Sequence, residues 1–324
     1  MLVCLPLNSA SKADIIMDEL LLQIVRAVVS GLMMGLVFGL VALGLTIIFG
    51  VMDIVNFAHG EFLMIGMYAG LLTATGFKVD PLVGLPVGAV FGFLLGVMCY
   101  YGLVRFLLRG PVAAQLFGTF GLMLFLRNLA LLIMGADPRS VHQGILVGKS
   151  FVLGPDIIIE MTKLAAGILS VVAFISMWWL LNRTRVGMAL TATALDAQAA
   201  RYMGIPTEKM NALAWGLGGA TVAMAGALLV NFWPVEPNVG LLFTMIAFAT
   251  VALGGFGSIS GAAVAGLIVG VLINIAPIWD AINLFTGIEG LKGLQIHQFK
   301  YSFVYLTYFL IMVFRPRGLF GWKH

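Results

Sequence analysis

The sequence predicts an all-α, polytopic membrane protein with about eight to ten transmembrane helices and one cytoplasmic helix between two of them. Two observations predict this class. Hydrophobic residues make up 61% of the 324 residues and charged residues only 10%, whereas a globular domain carries roughly 25% charged residues. Apolar runs near the length that crosses a bilayer also recur from end to end. Such a composition excludes a water-soluble globular protein.

Residues 1–20 are predicted to be a disordered N-terminal leader, and residues 21–324 a single transmembrane domain. Met17, followed by DELLLQIV, is a candidate for the natural first residue. The two cysteines, Cys4 and Cys99, are too few for a disulfide framework or a metal cluster. We assign no function to residues 1–18.

The apolar runs predict nine spans. Their approximate ranges are 21–43, 55–75, 81–104, 112–135, 163–181, 210–232, 241–256, 259–277 and 299–314. The first two lie in one nearly unbroken apolar block between residues 20 and 76. That block could hold two full spans, or two spans and a half-helix that turns back, and the predicted total therefore stays a range.

Lysines and arginines in short loops predict the orientation, because basic residues next to spans stay on the cytoplasmic side. They cluster in three connections that alternate consistently with one another. These are Arg105 and Arg109; Arg183, Arg185, Arg201 and Lys209; and Arg315, Arg317 and Lys323. All three connections, and with them the C-terminus, are predicted to be cytoplasmic. The connections at residues 135–162 and 276–298 would then face outward.

Many of the 40 glycines recur at intervals of four residues, as in the set Gly31, Gly35, Gly39, the set Gly84, Gly88, Gly92, Gly96, and the pairs Gly257, Gly261 and Gly266, Gly270. Small residues at this spacing let helix backbones approach closely in lipid. We interpret these glycines as packing seams between helices, and not as substrate contacts.

A polar segment at residues 183–209 separates two apolar spans and predicts a short cytoplasmic helix of about ten residues. Thr193 and Asp196 are expected to form a capping box at its start. Gly204 suits the left-handed position after the last turn, and Pro206 prevents continuation. Its apolar face consists of Leu195, Ala199, Tyr202 and Met203. This face needs a partner, which is either the protein's own span ends or another protein; the alternative is a helix resting on the bilayer surface.

Four polar residues lie inside the first apolar block, in the stretch VMDIVNFAHGEF: Asp53, Asn56, His59 and Glu61. Ionisable groups at membrane depth are costly and are usually functional. Asp53, Asn56 and Gly60 have the spacing of one helical face. In one interpretation these residues line a pathway or a helix break. In the other, Asp53 and Asn56 cap a helix and His59 bonds two spans. We favour a break in the wall of a pathway.

No catalytic, metal or nucleotide site is predicted in this chain. The four histidines, His59, His142, His297 and His324, are scattered without supporting groups. The GKS sequence at residues 148–150 lacks the glycine that a phosphate loop needs, because Gln143 occupies that position. The glycine-rich stretch at residues 254–261 lacks the lysine and reads as a tight cytoplasmic turn.

Several stretches resemble permease subunits of bacterial ABC importers. QAARYMG at residues 198–204 is similar to their E-A-A-x-x-x-G loop, with Gln198 in place of glutamate. Residues 35–70, 183–205 and 249–270 resemble three successive hallmark regions of the LivH-type permeases for branched-chain amino acids, in which NFAHGE and GGFGSISGA are the specific motifs. The resemblance covers nearly the whole chain from about residue 20 onward.

The resemblance implies an inner-membrane permease subunit for branched-chain or related amino acids. Its partners would be a second, similar permease, two cytoplasmic ATPases that use ATP and Mg²⁺, a periplasmic substrate-binding protein and the lipid bilayer; no nucleic acid is expected. The polar segment would be the coupling helix that sits in a cleft of an ATPase. The matching coupling residues are Asp196, Gln198, Ala199, Ala200, Arg201 and Gly204.

Two rival functions remain from the residues alone. An ion-gradient-driven secondary transporter or channel would use Asp53, His59 and Glu61 as a proton or ion relay. A membrane-embedded enzyme would need a cluster of reactive groups that the sequence does not show. A gradient-driven carrier would transport without ATP and without partners, whereas the permease would not.

Overall fold

The computed structural model describes residues 9–77, 80–141, 144, 146–153, 157–286, 299–315 and 318–321. The helices are α1 (Ser9–Met52), α2 (His59–Phe77), α3 (Gly84–Cys99), α4 (Arg105–Leu107), α5 (Val112–Met134), α6 (Met161–Arg183), α7 (Arg185–Leu195), α8 (Ala197–Tyr202), α9 (Thr207–Leu229), α10 (Val239–Gly254), α11 (Ile259–Thr286) and α12 (Lys300–Phe314). A 3₁₀ turn, Pro81–Val83, precedes α3, and a π turn, Tyr100–Val104, joins α3 to α4.

The predicted fold class is confirmed. Six helical stretches in the described parts of the chain are long and apolar enough to cross a membrane: Asp18–Met52, Pro81–Leu107, Val112–Met134, Met161–Arg183, Thr207–Leu229 and Ile259–Ile278. Two shorter apolar helices, α10 and α12, and the 19-residue α2 account for the remaining predicted spans.

Two boundaries differ from the prediction, and one alternative that it left open is decided. The first helix already begins at Ser9, inside the segment that was expected to be a disordered leader. The first apolar block forms two helices, α1 and α2, which is the predicted alternative without a further half-helix. The last long helix, α11, continues to Thr286 and takes in the start of the expected loop at residues 276–298, the rest of which lies outside the described residues.

Helices α1 and α9 form the centre of the bundle, with most of their membrane-crossing residues buried. Glycines make the closest contacts there. A Cβ added to Gly31 would lie 2.7 Å from the Cα of Val271 on α11, and one added to Gly35 would lie 2.7 Å from the Cα of Leu267. Gly92 on α3 meets Gly219 on α9 in the same way. These contacts confirm the glycine seams, since only a missing side chain lets backbones approach so closely.

The bundle has two distinct ends. At one end, Gly50 of α1 lies beside Gly257, the N–H groups of Leu319 and Phe320 donate to the last carbonyls of α10, and Arg105 faces Glu208 at 4.0 Å. We call this the basic end, because the described basic residues of all three clusters lie in connections there; Arg317 and Lys323 are outside the described residues. The prediction that this end is cytoplasmic stays a prediction.

The opposite end carries a short antiparallel hairpin that the sequence interpretation missed. Strands β1 (Ser150–Leu153) and β2 (Ile157–Glu160) pair, with Phe151 opposite Ile159. The hairpin contacts the first half of α1 and precedes α6 directly. We call this the hairpin end; the expected outward connection at residues 135–162 lies here.

Candidate functional site

The chain breaks its helical structure at membrane depth between α1 and α2. His59 Nε2 lies 2.9 Å from the carbonyl oxygen of Val41. Val41 precedes the end of α1 at Met52 by 11 residues, which is about 16 Å along a helix. Residues 54–58 must therefore lead back from the basic end to the middle of the bundle without helical hydrogen bonds. Irregular backbone at this depth is tolerated only where protein or a water-filled cavity surrounds it.

Asp53 and Asn56 shape the two ends of the break. Asp53 has a φ of 55°, and its N–H still donates to Phe49 O at 2.8 Å, so that α1 ends in a left-handed residue with an exposed side chain. Asn56 is fully buried, and its Oδ1 accepts from Ala58 N–H at 3.0 Å. Because this segment is not helical, the expected common helical face of Asp53, Asn56 and Gly60 is wrong.

Helices α2 and α10 both begin at the break. The N–H of Gly60 donates to Thr244 Oγ1 at 2.9 Å, and a side chain on Gly60 would overlap the carbonyl oxygen of Gly240. His59, also fully buried, must donate from Nε2, because the Val41 carbonyl can only accept. Two helix starts thus meet in the interior of the bundle, next to the irregular segment.

Glu61 pairs with an arginine that the sequence interpretation missed. Arg127 of α5 donates from Nη2 to Glu61 Oε1 at 2.6 Å. The Glu61 side chain is fully buried, whereas 17% of the Arg127 side chain remains exposed. Glu61 also lies in the first turn of α2, where the helix dipole favours a negative charge. A lone arginine in an apolar span was the available signal, since such a charge needs a partner.

The structure brings three of the four predicted pathway residues together. Asn56, His59 and Glu61 are buried side by side along the break, and Asp53 lies apart from them, exposed at the end of α1. One interpretation of these residues expected Asp53 and Asn56 to cap a helix and His59 to bond two spans, and the structure has these contacts. The other interpretation, the wall of a pathway, expected a break in a helix, and the structure has this break as well.

The polar segment forms two helices, α7 and α8, joined at a sharp bend. Asp196 is the N-cap of α8, and its Oδ1 accepts from the N–H groups of Gln198 at 2.8 Å and Ala199 at 2.9 Å. The expected capping box with Thr193 is wrong, because Thr193 Oγ1 donates inside α7 to the carbonyl of Ala189. The capped helix has six residues, and not about ten, because α7 takes up the residues before the bend.

The end of α8 is as predicted. Gly204 has a φ of 81°, its N–H donates to Arg201 O at 3.0 Å, and Ile205 N–H donates to Ala200 O at 3.0 Å. These two bonds form a Schellman motif, which requires the left-handed residue that glycine supplies. Gln198, at the position where the resembling family often has glutamate, donates from Nε2 to the Tyr202 hydroxyl at 3.0 Å.

The apolar face of α8 is turned away from the spans. Tyr202 is 79% and Met203 85% exposed, and Leu195 and Ala199 are exposed as well. Ala200 is the buried residue of the helix. Of the partners considered for this face, the protein's own span ends are therefore excluded.

Within the described part of the chain, no three His, Cys, Asp or Glu side chains lie close enough together to hold a metal ion.

Comparison with known proteins gives one consistent result. Residues 27–290 match the family described as branched-chain amino acid transport system, permease component. The high-affinity branched-chain amino acid transport system permease protein BraD of Pseudomonas aeruginosa is 27% identical over 310 residues, covering 90% of this chain and 94% of its own length. The LivH proteins of Escherichia coli and Salmonella typhimurium are 31% and 30% identical, each covering 79% of this chain and 86% of its own length. No solved structure matches the chain.

Proposed function

Because the chain belongs to the family of branched-chain amino acid transport system permease components, we propose that it is a membrane-spanning permease subunit of an ATP-driven importer for branched-chain or related amino acids. It resides in the bacterial inner membrane with its basic end in the cytoplasm. It pairs with a second permease, and the substrate passes along the interface between the two. A periplasmic binding protein delivers the substrate and does most of the selecting.

The observation that carries this proposal is the outward-turned apolar face of α8. A six-residue helix in water is not stable alone, yet this one is capped at both ends by Asp196 and Gly204. Its large side chains, Tyr202 and Met203, point away from the bundle. A rigid short helix with exposed apolar groups at the basic end supports docking into a cleft of a separate ATPase subunit.

The coupling residues have distinct roles in this proposal. Leu195, Tyr202 and Met203 enter the cleft of the ATPase, while Gln198 and Arg201 make polar contacts at its rim. Asp196 and Gly204 do not contact the partner but hold the shape of α8. Buried Ala200 seats α8 on the bundle. ATP and Mg²⁺ act only in the two partner ATPases, and their closure pushes α8.

The break between α1 and α2 supplies the movable wall of the pathway. Asn56 lies in this non-helical segment, which lacks a regular helix's resistance to bending, and His59 and Glu61 follow it in the first turn of α2. Asp53, at the end of α1, is the hinge at the basic end. ATP-driven movement would open the pathway alternately to the two sides.

Reconstitution tests the proposal directly. The purified chain is placed in liposomes either alone with an imposed proton or sodium gradient, or with its second permease, ATPases and binding protein plus ATP. Labelled leucine uptake is measured in both. We expect uptake only in the complete, ATP-supplied vesicles. Concentrative uptake by the chain alone on a gradient would instead establish a secondary transporter.

Mild-detergent extraction from native membranes provides the second arm. An ATPase pair should copurify with the wild-type chain and be lost when Tyr202 and Met203 are both replaced by serine. The matched control replaces Leu132 by serine, an exposed apolar residue on α5 far from α8. Retention of the ATPases by the Tyr202/Met203 variant would contradict docking through this face.

A further inference from the structure

Arg127 lies at the edge of a helix that is otherwise loosely packed. The buried residues of α5 are Thr119, Met123 and Leu126, and most of the remaining residues are exposed. Arg127 borders this buried strip, and part of its side chain stays accessible. A charge at membrane depth avoids lipid tails, because contact with them is costly. The accessible part of Arg127 therefore faces protein or water in the assembled membrane.

The guanidinium of Arg127 has donors to spare. An arginine side chain carries five N–H donors in a planar fork. One nitrogen, Nη2, bonds to Glu61, and Nε is buried without a hydrogen-bond partner. Glu61 itself is fully buried. An approaching solute would meet the positive group and not the carboxylate behind it, so that the pair presents a cation to the accessible side.

Three aromatic side chains lie below Arg127, toward the basic end. Phe57, in the break, contacts Phe120 of α5 with ring centres 6.4 Å apart and Phe248 of α10 with ring centres 5.6 Å apart. Phe120 precedes Arg127 by seven residues, about 10 Å along the helix. We call Phe57, Phe120 and Phe248 the aromatic cluster. It joins the break to α5 and α10.

We propose that Arg127, held in place by Glu61, binds the carboxylate of the transported amino acid midway across the membrane, with the aromatic cluster receiving its apolar side chain. Guanidinium is the protein group best matched to a carboxylate, through two parallel hydrogen bonds. The aromatic rings provide an apolar surface without competing polar groups. This assignment rests on the proposed function, because it requires a carboxylate-bearing apolar solute.

A double replacement separates a binding role from a structural one. Arg127→Gln and Glu61→Gln are made singly and together in the complete reconstituted importer, and leucine uptake and thermal unfolding are measured. A structural ion pair would tolerate loss of both charges, because two glutamines can bond to each other. We expect the double variant to unfold like the wild type but to take up leucine about 10- to 100-fold more slowly, the effect of losing a charged hydrogen bond. Wild-type uptake by the double variant would overturn the proposal.

Cysteine accessibility tests the same face of α5 without relying on uptake and with Arg127 and Glu61 intact. Leu124→Cys, an exposed position between Phe120 and Arg127, is combined with alanine at Cys4 and Cys99, and the assembled importer is exposed to a water-soluble anionic thiol reagent. We expect labelling that saturating leucine and binding protein slow. An unlabelled cysteine, or labelling that leucine leaves unchanged, would refute the site even if the glutamine variants failed to assemble.

The matched controls lie on the same helix and just beyond it. Leu132→Cys, at an exposed apolar position, should show no protection by leucine. Arg139→Gln removes another arginine, one that follows α5 and donates to the Met134 carbonyl at its end, and should leave uptake unchanged. If the wild-type importer itself shows no ATP-dependent leucine uptake, the proposed function fails. If the wild-type importer takes up leucine with ATP and the double variant takes it up equally fast, only the proposed role of Arg127 fails.

Discussion

Replacing Gly204 by valine should uncouple transport from ATP hydrolysis while leaving the subunit inserted. Gly204 has a φ of 81°, and a Cβ added there meets no atom within 4 Å. The cost of valine is therefore backbone strain alone, about 1 to 2 kcal/mol for a residue with a side chain in the left-handed region. That shifts the balance between the capped and the frayed end of α8 by about 5- to 30-fold.

The assay compares leucine uptake with ATP hydrolysed in the reconstituted importer. We expect the uptake per ATP of Gly204→Val to fall by up to the same 5- to 30-fold factor, with normal thermal unfolding of the membrane part. Gly204→Asn is the matched control, because asparagine tolerates the left-handed conformation and should retain most coupling. Wild-type uptake per ATP in the valine variant would refute the role of the capped helix.

Three further replacements test other contacts. Asp196→Ala removes the side-chain cap of two N–H groups, which destabilises α8 by about 1 kcal/mol, and should lower uptake per ATP. Asp196→Asn keeps a capping oxygen and should not lower it. Equal uptake per ATP in the two variants would contradict the capping role. Gly66→Ala forces a Cβ onto the backbone of Ala223. This should lower the free energy of unfolding by about 1 to 3 kcal/mol, and with it the thermal unfolding temperature. Gly121→Ala is the control, because a Cβ there meets no atom within 4 Å, and it should unfold like the wild type. His59→Leu loses one hydrogen bond to α1, worth about 1 kcal/mol, and should still assemble but lose uptake; normal uptake would make His59 part of the scaffold.

The spans could be predicted from sequence because the bilayer imposes both their length and their composition. The glycine seams followed for a related reason, since in lipid close approach needs small residues at regular spacing. Gly204 was also predictable, because the left-handed end of a helix has one strong residue preference. These features depend on local sequence alone.

The start of α8 could not be fixed in this way. Thr193 and Asp196 both suit a cap, and the choice depends on whether α7 continues as far as Leu195. Once it does, Thr193 lies inside α7 and bonds to its own helix at Ala189. The decision therefore rests on the packing of α7 against α1 and α9, which the local sequence does not contain.

Long-range pairing explains why the ion pair of Glu61 with Arg127 was missed. Arg127 stood out as a charge within an apolar run, but its partner Glu61 lies 66 positions earlier in the chain, and nothing local selects that carboxylate. The break between α1 and α2 was predicted from its polar residues. The sequence does not show that the chain returns after α1 to the level of Val41, because this follows from the contact of His59 with α1.

The packing of the bundle relates the two proposed sites to each other. Helix α9, which follows α8 directly, is almost wholly buried and meets α2 backbone to backbone where Gly66 contacts Ala223. Close-packed backbones transmit a displacement with little compression. By contrast, α5 is largely exposed, and two of its polar links reach the break and the start of α2: Thr119 Oγ1 donates to Val55 O at 3.2 Å, and Arg127 pairs with Glu61. We therefore expect a push on α8 to travel through α9 to α2 and to move Glu61 relative to α5, which changes the position of Arg127 in the pathway.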